Sequence, residues 1–166
     1  MTNTIKYFHG GTEIDKINDD SVFGGFLFFS QDYETADAHT SDTLYEIETG
    51  FEIVDASHMF YIDDSDEICA EIIKEVIDMI DFMQCDEETA MNLLDESTDI
   101  ITLYEENVEP STESIDHLGE MSWIIQRKTA ECAKLLGYRG VNITDEHGQS
   151  TMIYMIGHES ELTIIK

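Results

Sequence analysis

His9 closes a short apolar and aromatic segment, Ile5 to Phe8 broken only by Lys6, and is followed by Gly10, Gly11 and Thr12. A histidine at a strand end with glycine after it suits hydroxyl or phosphate binding. Its imidazole can donate to a sugar oxygen, and bare glycine backbone lets a ligand approach closely. The same residues also make an ordinary strand-to-turn junction. Phe23-Gly24-Gly25, then Phe28-Phe29-Ser30 with Tyr33 behind it, set aromatic faces and a hydroxyl beside another glycine turn. That combination suits a planar ring, although some of these phenylalanines must belong to a core strand. Alternation puts Phe28 and Ser30 on one strand face and Phe29 on the other, so one face is expected to line a pocket. Near the other end, Asp145 stands where a strand gives way to the turn Glu146-His147-Gly148. Asp before such a turn is sound turn chemistry in its own right. Asp145 and Glu146 face opposite ways if extended, so at most one enters a cleft, and spacing leaves open which.

Several familiar chemistries are excluded. The chain has no GxxxxGK[ST] loop, no GxGxxG after a strand, no GxSxG and no HExxH. Asp63-Asp64-Ser65-Asp66-Glu67 lacks the central glycine and distal glutamate of a calcium loop and reads as a solvated turn; no metal is expected. Eight Lys+Arg against 37 Asp+Glu give a net charge of −29, which repels nucleic acid and anionic membrane and attracts basic surfaces. Direct nucleic-acid binding is not expected, because phosphate contacts need the scarce cations. Cys69, Cys85 and Cys132 are odd in number and widely spaced, with no disulfide framework or CxxC half-site. With no signal-like start and no membrane-length apolar run, the expected compartment is the cytoplasm.

The elements that must hold these residues read in three parts within one expected domain, residues 1–166. To about Asp55 the chain reads as strands: Ile5 to Phe8, Phe26 to Phe29, and the alternating Leu44 to Glu48. Asp32 or Ser30 is placed to cap a short helix through Tyr33, Ala36 and His39. Residues 55–120 carry twenty-one acids and one basic residue, Lys74. There Ile68, Ile72, Val76 and Ile80 form a helical stripe with Cys69, Ile73 and Ile77 beside it, and Asp66 is the expected cap. Asp86 should cap a second helix bearing Ala90, Leu93 and Leu94, and Pro110-Ser111 marks a break before a third. That third helix carries Leu118, Met121, Ile125, Cys132 and Leu136 and stops at Gly137. Strand-like segments follow at Gly140 to Ile143, Thr151 to Ile156 and Leu162 to Ile165. The class is α+β, with strands at both ends that must meet in space to share a sheet.

Taken together, YFHGGT, VFGG, FFSQDYETA and LLGYRGVNITDEHG resemble the ADP-ribosyltransferase fold in their order and spacing. More narrowly, the chain resembles the phage-encoded anti-CRISPR ADP-ribosyltransferases that inhibit type I-F systems, the eleventh-named group of those inhibitors. The resemblance covers both ends of the chain well and the acidic middle loosely. It implies a split two-sheet core with NAD in the cleft between the sheets. His9 corresponds to a histidine that holds a ribose, with Gly10, Gly11 and Thr12 beside it. Phe29, Ser30 or Tyr33 stands where relatives contact nicotinamide and its ribose. Phe23, Gly24 and Gly25 complete the implied NAD site, the glycine backbone serving the pyrophosphate ahead of Lys6, Lys16 or Arg139. Asp145 falls at the position of the catalytic carboxylate, which stabilises positive charge at the anomeric carbon as nicotinamide leaves. Ile143, not an acid, precedes Asp145 by two, so the arginine-modifying pattern of paired acids is absent.

The acidic segment 55–120 then reads as an insertion that docks onto a basic partner. The resemblance names that partner as the subunit of the type I-F surveillance complex that recognises the short DNA motif beside the target. Modification there would block DNA binding. A rival expectation needs no enzyme: an acidic DNA mimic that occludes such a surface mole for mole. A transferase toxin with a host target, or an NAD glycohydrolase, is a third.

Overall fold

The computed structural model describes residues 4–39, 42–83, 85–107, 115–145 and 148–166. β1 (Ile5–Gly11) pairs antiparallel with β3 (Thr43–Thr49), and β3 with β7 (Thr163–Ile164), in a three-stranded sheet ordered β1-β3-β7. A four-stranded sheet, β2-β6-β5-β4, is built from β2 (Phe26–Phe29), β4 (Ile53–Asp55), β5 (Gly140–Asp145) and β6 (Gly148–Tyr154). Its pairings are antiparallel except β4 with β5, which is parallel. Each sheet therefore joins early strands to late ones. β4 was not among the expected strands; three residues are too few to show a period, and its pairing with β5 is what makes it a strand. β3 keeps the expected alternation: Thr43, Tyr45, Ile47 and Thr49 are buried on one face, while on the other Glu46 is half-buried and Glu48 exposed, with Leu44 the one buried exception.

One local device starts three helices. An aspartate caps the first turn by accepting the backbone N–H of a threonine three residues on. Asp32 takes Thr35 N at 3.0 Å, Asp86 takes Thr89 N at 2.8 Å and Asp99 takes Thr102 N at 2.8 Å. These begin α1 (Tyr33–Ala38), α4 (Glu87–Leu94) and α5 (Ile100–Asn107). Asp32, one of the two expected candidates for α1, and Asp86 are the caps the sequence indicates; α5 was not expected.

The expected helix from Asp66 is corrected. It is two pieces, α2 (Ser65–Ile68) and α3 (Ala70–Met79), broken at Cys69. Asp66 lies inside α2, and the residue before that helix is Asp64, with φ 60° and no side-chain cap. The reason is tertiary: Ser65 and Cys69 are buried, Cys69 facing the Cys132 carbonyl, and holding both inward turns Ile68 out to solvent. Ile72, Ile73, Val76 and Ile80 keep the buried stripe.

The Pro110-Ser111 break falls outside the described residues, and α6 spans Ile115–Leu135. It ends as its sequence indicates. Gly137 has φ +95°, Tyr138 N donates to Ala133 O at 2.9 Å and Gly137 N to Lys134 O at 3.1 Å. Gly137→Ala should cost roughly 1–2 kcal/mol from left-handed strain. A thermal midpoint unchanged within about one degree would show that the helix end can relax without glycine.

Two cores result. The larger lies between the helices and the four-stranded sheet, and includes Ile73, Val76, Leu94, Val141 and Met152. The smaller lies between the two sheets and holds Tyr7, Ile47, Phe29, Ile153 and Met155. The acidic middle is thus packed through its apolar sides against the four-stranded sheet, with most of its acids turned outward.

Candidate active site

The two sheets pack on each other through the smaller core, and among the described residues one backbone bridge links β1 to the end of β2. Phe8 of β1 and Ser30, just past β2, form a single antiparallel bridge, Phe8 N to Ser30 O at 2.7 Å and Ser30 N to Phe8 O at 2.9 Å. The next residue, His9, extends the tie through its side chain, with Nδ1 2.6 Å from the Phe28 carbonyl. A carbonyl only accepts, so Nδ1 carries the proton. Burial depresses the His9 pKa below its ordinary 6.5, ahead of the opposing pull of the carbonyl. The ring is therefore neutral near pH 7, and Nε2 is an acceptor. This differs from the donation to a sugar oxygen read from sequence: with Nδ1 engaged by the Phe28 carbonyl, the nitrogen left over is one that accepts. A Cβ at Gly11 would come within 3.1 Å of Nε2, so glycine there keeps that nitrogen uncrowded.

Beside this tie is a cavity of about 200 Å³. β1 supplies Phe8, His9 and Gly10; the β2 end supplies Phe28, Phe29 and Ser30. From the four-stranded sheet come Asp145, at the end of β5, and Ser150 of β6. Residues 136 positions apart in the chain thus line one space, because β6 carries β5 on one edge and β2 on the other. Ser150 Oγ donates to the Asp145 carboxylate. Ser30 Oγ accepts Asp32 N–H at 3.0 Å, and its own hydrogen can donate toward the cavity. Phe29 packs on His9, ring centroids 5.5 Å apart. One expectation is corrected here. Phe28 and Phe29 both contribute, because the cavity lies off the strand end and reaches around it.

Other expected site residues lie elsewhere. Gly11 ends β1 next to the His9 ring, and Thr12 follows it, exposed and outside the lining. Tyr33 is 43% exposed and stands edge-on to Phe8 at 5.6 Å, also outside. Phe23 lines a neighbouring groove and packs edge-on against Phe28 at 4.6 Å. Gly24 and Gly25 are not brought to the cavity. Their lack of Cβ serves the protein's own packing: a Cβ at Gly24 would meet Asp19 at 2.6 Å, and one at Gly25 would meet Ile156 at 2.5 Å. Lys6 is paired with Glu46 at 3.0 Å and Arg139 with Glu161 at 2.7 Å, so neither is a freely disposed phosphate ligand. Glu146 lies outside the described residues.

Four contributors were not among the expected site residues. Thr35, Ala36 and His39 line the cavity from α1. Their spacing of i, i+1 and i+4 after the Asp32 cap is the signal that puts them on one helix face. Ser150 is legible only once β5 and β6 are in register. Behind the site, Glu96 receives Thr144 N–H with both carboxylate oxygens, at 2.8 and 3.0 Å, where β4 has ended and leaves that edge of β5 unpaired. Desolvation against this edge raises the Glu96 pKa, and the nearby Asp145 charge pushes the same way.

These groups suit an NAD nicotinamide–ribose end. They offer a hydroxyl acceptor, a hydroxyl donor, an aromatic face and a carboxylate. The volume is below the roughly 300–1,000 Å³ of pockets that enclose a whole drug-sized ligand, which matches one end of the dinucleotide. Ser150→Ala should reduce nicotinamide release by about tenfold through lost orientation of the carboxylate. An unchanged rate would show that Asp145 needs no such support. Among the described residues no group of three or more His, Cys, Asp or Glu is placed to hold a metal, and no helix is long and apolar enough to cross a membrane.

Two sheets splayed about a cleft, with helices packed on the four-stranded one, form an ADP-ribosyltransferase-like α+β fold. The profile of the family described as "Anti-CRISPR Type I-F ADP-ribosyltransferase AcrIF11" matches residues 5–159, and the chain belongs to that family. A solved structure described as "Crystal structure of an anti-CRISPR protein" is similar over 97% of this chain and 93% of its own, with 25% identity and a TM-score of 0.60. No curated protein matches the chain. The activity of the family is ADP-ribosyl transfer, which takes NAD as substrate, and its anti-CRISPR role implies interaction with the CRISPR–Cas machinery.

Proposed function

We propose that the protein transfers ADP-ribose from NAD to the subunit of a type I-F surveillance complex that recognises the motif flanking the DNA target, and so prevents target binding in the host cytoplasm. The observation that carries the catalytic part is the meeting of His9 and Asp145, from opposite ends of the chain, in one cavity at the split between the sheets. When bound there, NAD supplies the ribosyl carbon: its bond to the nicotinamide nitrogen breaks, nicotinamide leaves with the bonding pair, and the acceptor atom bonds to that carbon and gives up a proton.

His9 Nε2 and Ser30 Oγ bind and orient sugar hydroxyls, and the Phe29 face excludes water from one side. Asp145, oriented by Ser150, stabilises positive charge that develops beside it. These groups are held before substrate arrives, so little reorganisation accompanies the reaction. The choice of target rests on charge. With a net charge of −29, the chain is attracted to a basic DNA-reading surface, and among the described residues most acids of the 55–120 segment are exposed.

The test is intact-mass measurement of the purified complex after incubation with NAD. One subunit should gain a single ADP-ribose in the presence of wild-type protein and none with Asp145→Ala. Unmodified subunits alongside full, mole-for-mole inhibition would instead identify an acidic DNA mimic. Nicotinamide release with no labelled subunit would indicate a glycohydrolase or a different host target.

A further inference from the structure

The catalytic cavity has a neighbour that shares two of its residues, Phe28 and Asp145. This second space, about 410 Å³, lies between the β5 end and helices α5 and α6. Ser122 and Gln126, one turn apart on α6, line it with Thr144, and Trp123 and Ile101 contribute apolar surface. Both are half exposed, at 51% and 52%. The rings of Phe28, Phe23 and Trp123 run in series, with centroid separations of 4.6 and 6.4 Å, from the catalytic cavity out to the surface. Among the described residues, Asp145 is the only charged one in the lining.

A transferase must bring a nucleophile to the carboxylate that governs bond breaking, by a path the nicotinamide end does not occupy. The shared Asp145 gives this groove that property. We infer that the groove between α5 and α6 seats the acceptor-bearing segment of the target protein, and that Trp123 and Ile101 determine which segment is accepted. This rests on the proposed transfer to the surveillance complex and names the surface that performs it.

The occupant is a segment of a basic, nucleic-acid-binding protein surface. A groove whose described lining holds a carboxylate and no cation, on a chain of net charge −29, favours positive side chains and rejects acidic ones. The exposed Trp123 ring offers an arginine or lysine of that segment both a cation–π face and apolar contact for its stem. Ser122 and Gln126 offer hydrogen bonds to its backbone. Asp145 at the inner end meets the acceptor side chain.

The experiment compares two rates in Trp123→Ala and Ile101→Asn: nicotinamide release without acceptor, and ADP-ribose transfer to the purified surveillance complex by intact mass. Both positions are exposed, and a thermal melt confirms folding. Ser122→Arg, which fills the groove with bulk and positive charge, is the second line of variants. Transfer should fall at least about tenfold, the effect of losing an anchoring contact, with nicotinamide release within about twofold of wild type. The inference is overturned if transfer is unchanged in all three variants. It is equally overturned if transfer and nicotinamide release fall together, since the groove would then serve NAD. If the wild-type protein releases nicotinamide but labels no subunit, the choice of target is wrong and the inference fails with it, an outcome seen before any variant is compared.

Discussion

Asp145→Asn is expected to lower both nicotinamide release and protein ADP-ribosylation by about 10²–10³-fold, the effect typical of removing one preorganised charge-stabilising group. Asn is the informative replacement, because its side-chain oxygen can still accept the Ser150 hydroxyl that Asp145 accepts. The strand end and its contacts persist while the charge is removed. The melt should stay close to wild type, and NAD should still bind, so the loss falls on kcat with little change in KM. A loss smaller than about threefold would remove Asp145 from the chemistry. Glu146→Gln is the companion measurement, since the two acids are adjacent and spacing does not choose between them.

His9→Ala should act differently. Removing the ring deletes the Nε2 acceptor and leaves the Phe28 carbonyl without its 2.6 Å partner. The lost Nε2 bond to substrate amounts to roughly 0.5–1.5 kcal/mol, or about 2- to 13-fold in kcat/KM, expressed mainly as weaker NAD binding, while the lost bond to Phe28 lowers stability. The pH profile provides a second reading. Because burial favours the neutral ring, the His9 pKa in the folded protein is below the ordinary 6.5. The stability linked to the neutral ring is complete above that ordinary value and is lost as pH falls through the lower folded-state value. Activity should follow the same direction, with the acid limb of nicotinamide release lying below pH 6.5. Activity that instead falls as pH rises through the His9 titration would mean that protonated His9 is the binding form, and would reverse its role.

Phe26 to Phe29 is a strand over the limits its residues suggested, and Gly137 ends α6 in the left-handed conformation expected of it. Asp32 and Asp86 cap helices as read. The cap that opens α5 was equally visible: Asp99-Ile-Ile-Thr102 repeats the Asp-x-x-Thr spacing of the other two. These features depend on neighbours within a few residues, so composition and spacing contain them.

Other features depend on contacts between distant segments. The break at Cys69 comes from packing on α6, which overrides a helical pattern that runs unbroken in sequence. Gly24 and Gly25 resembled ligand-binding glycines, yet Asp19 and Ile156 are what approach them. His9 keeps its place in a site, but its proton is directed by the Phe28 carbonyl, nineteen residues away. Ser150 enters the site because β6 pairs with β5 in one register, and Glu96 lies behind Asp145 because β4 stops at Asp55.

By itself, then, the sequence determined most of the strands, two of the caps, most of the apolar stripe and the extreme charge, because each follows from side-chain chemistry at short range. The tertiary structure alone decided that β1 meets the end of β2 at the Phe8–Ser30 bridge, that His9 and Asp145 line one cavity, and that a second groove reaches the same carboxylate. Those outcomes belong to strand pairing and to packing between the sheets, where the partners are set by the whole chain and no local pattern records them.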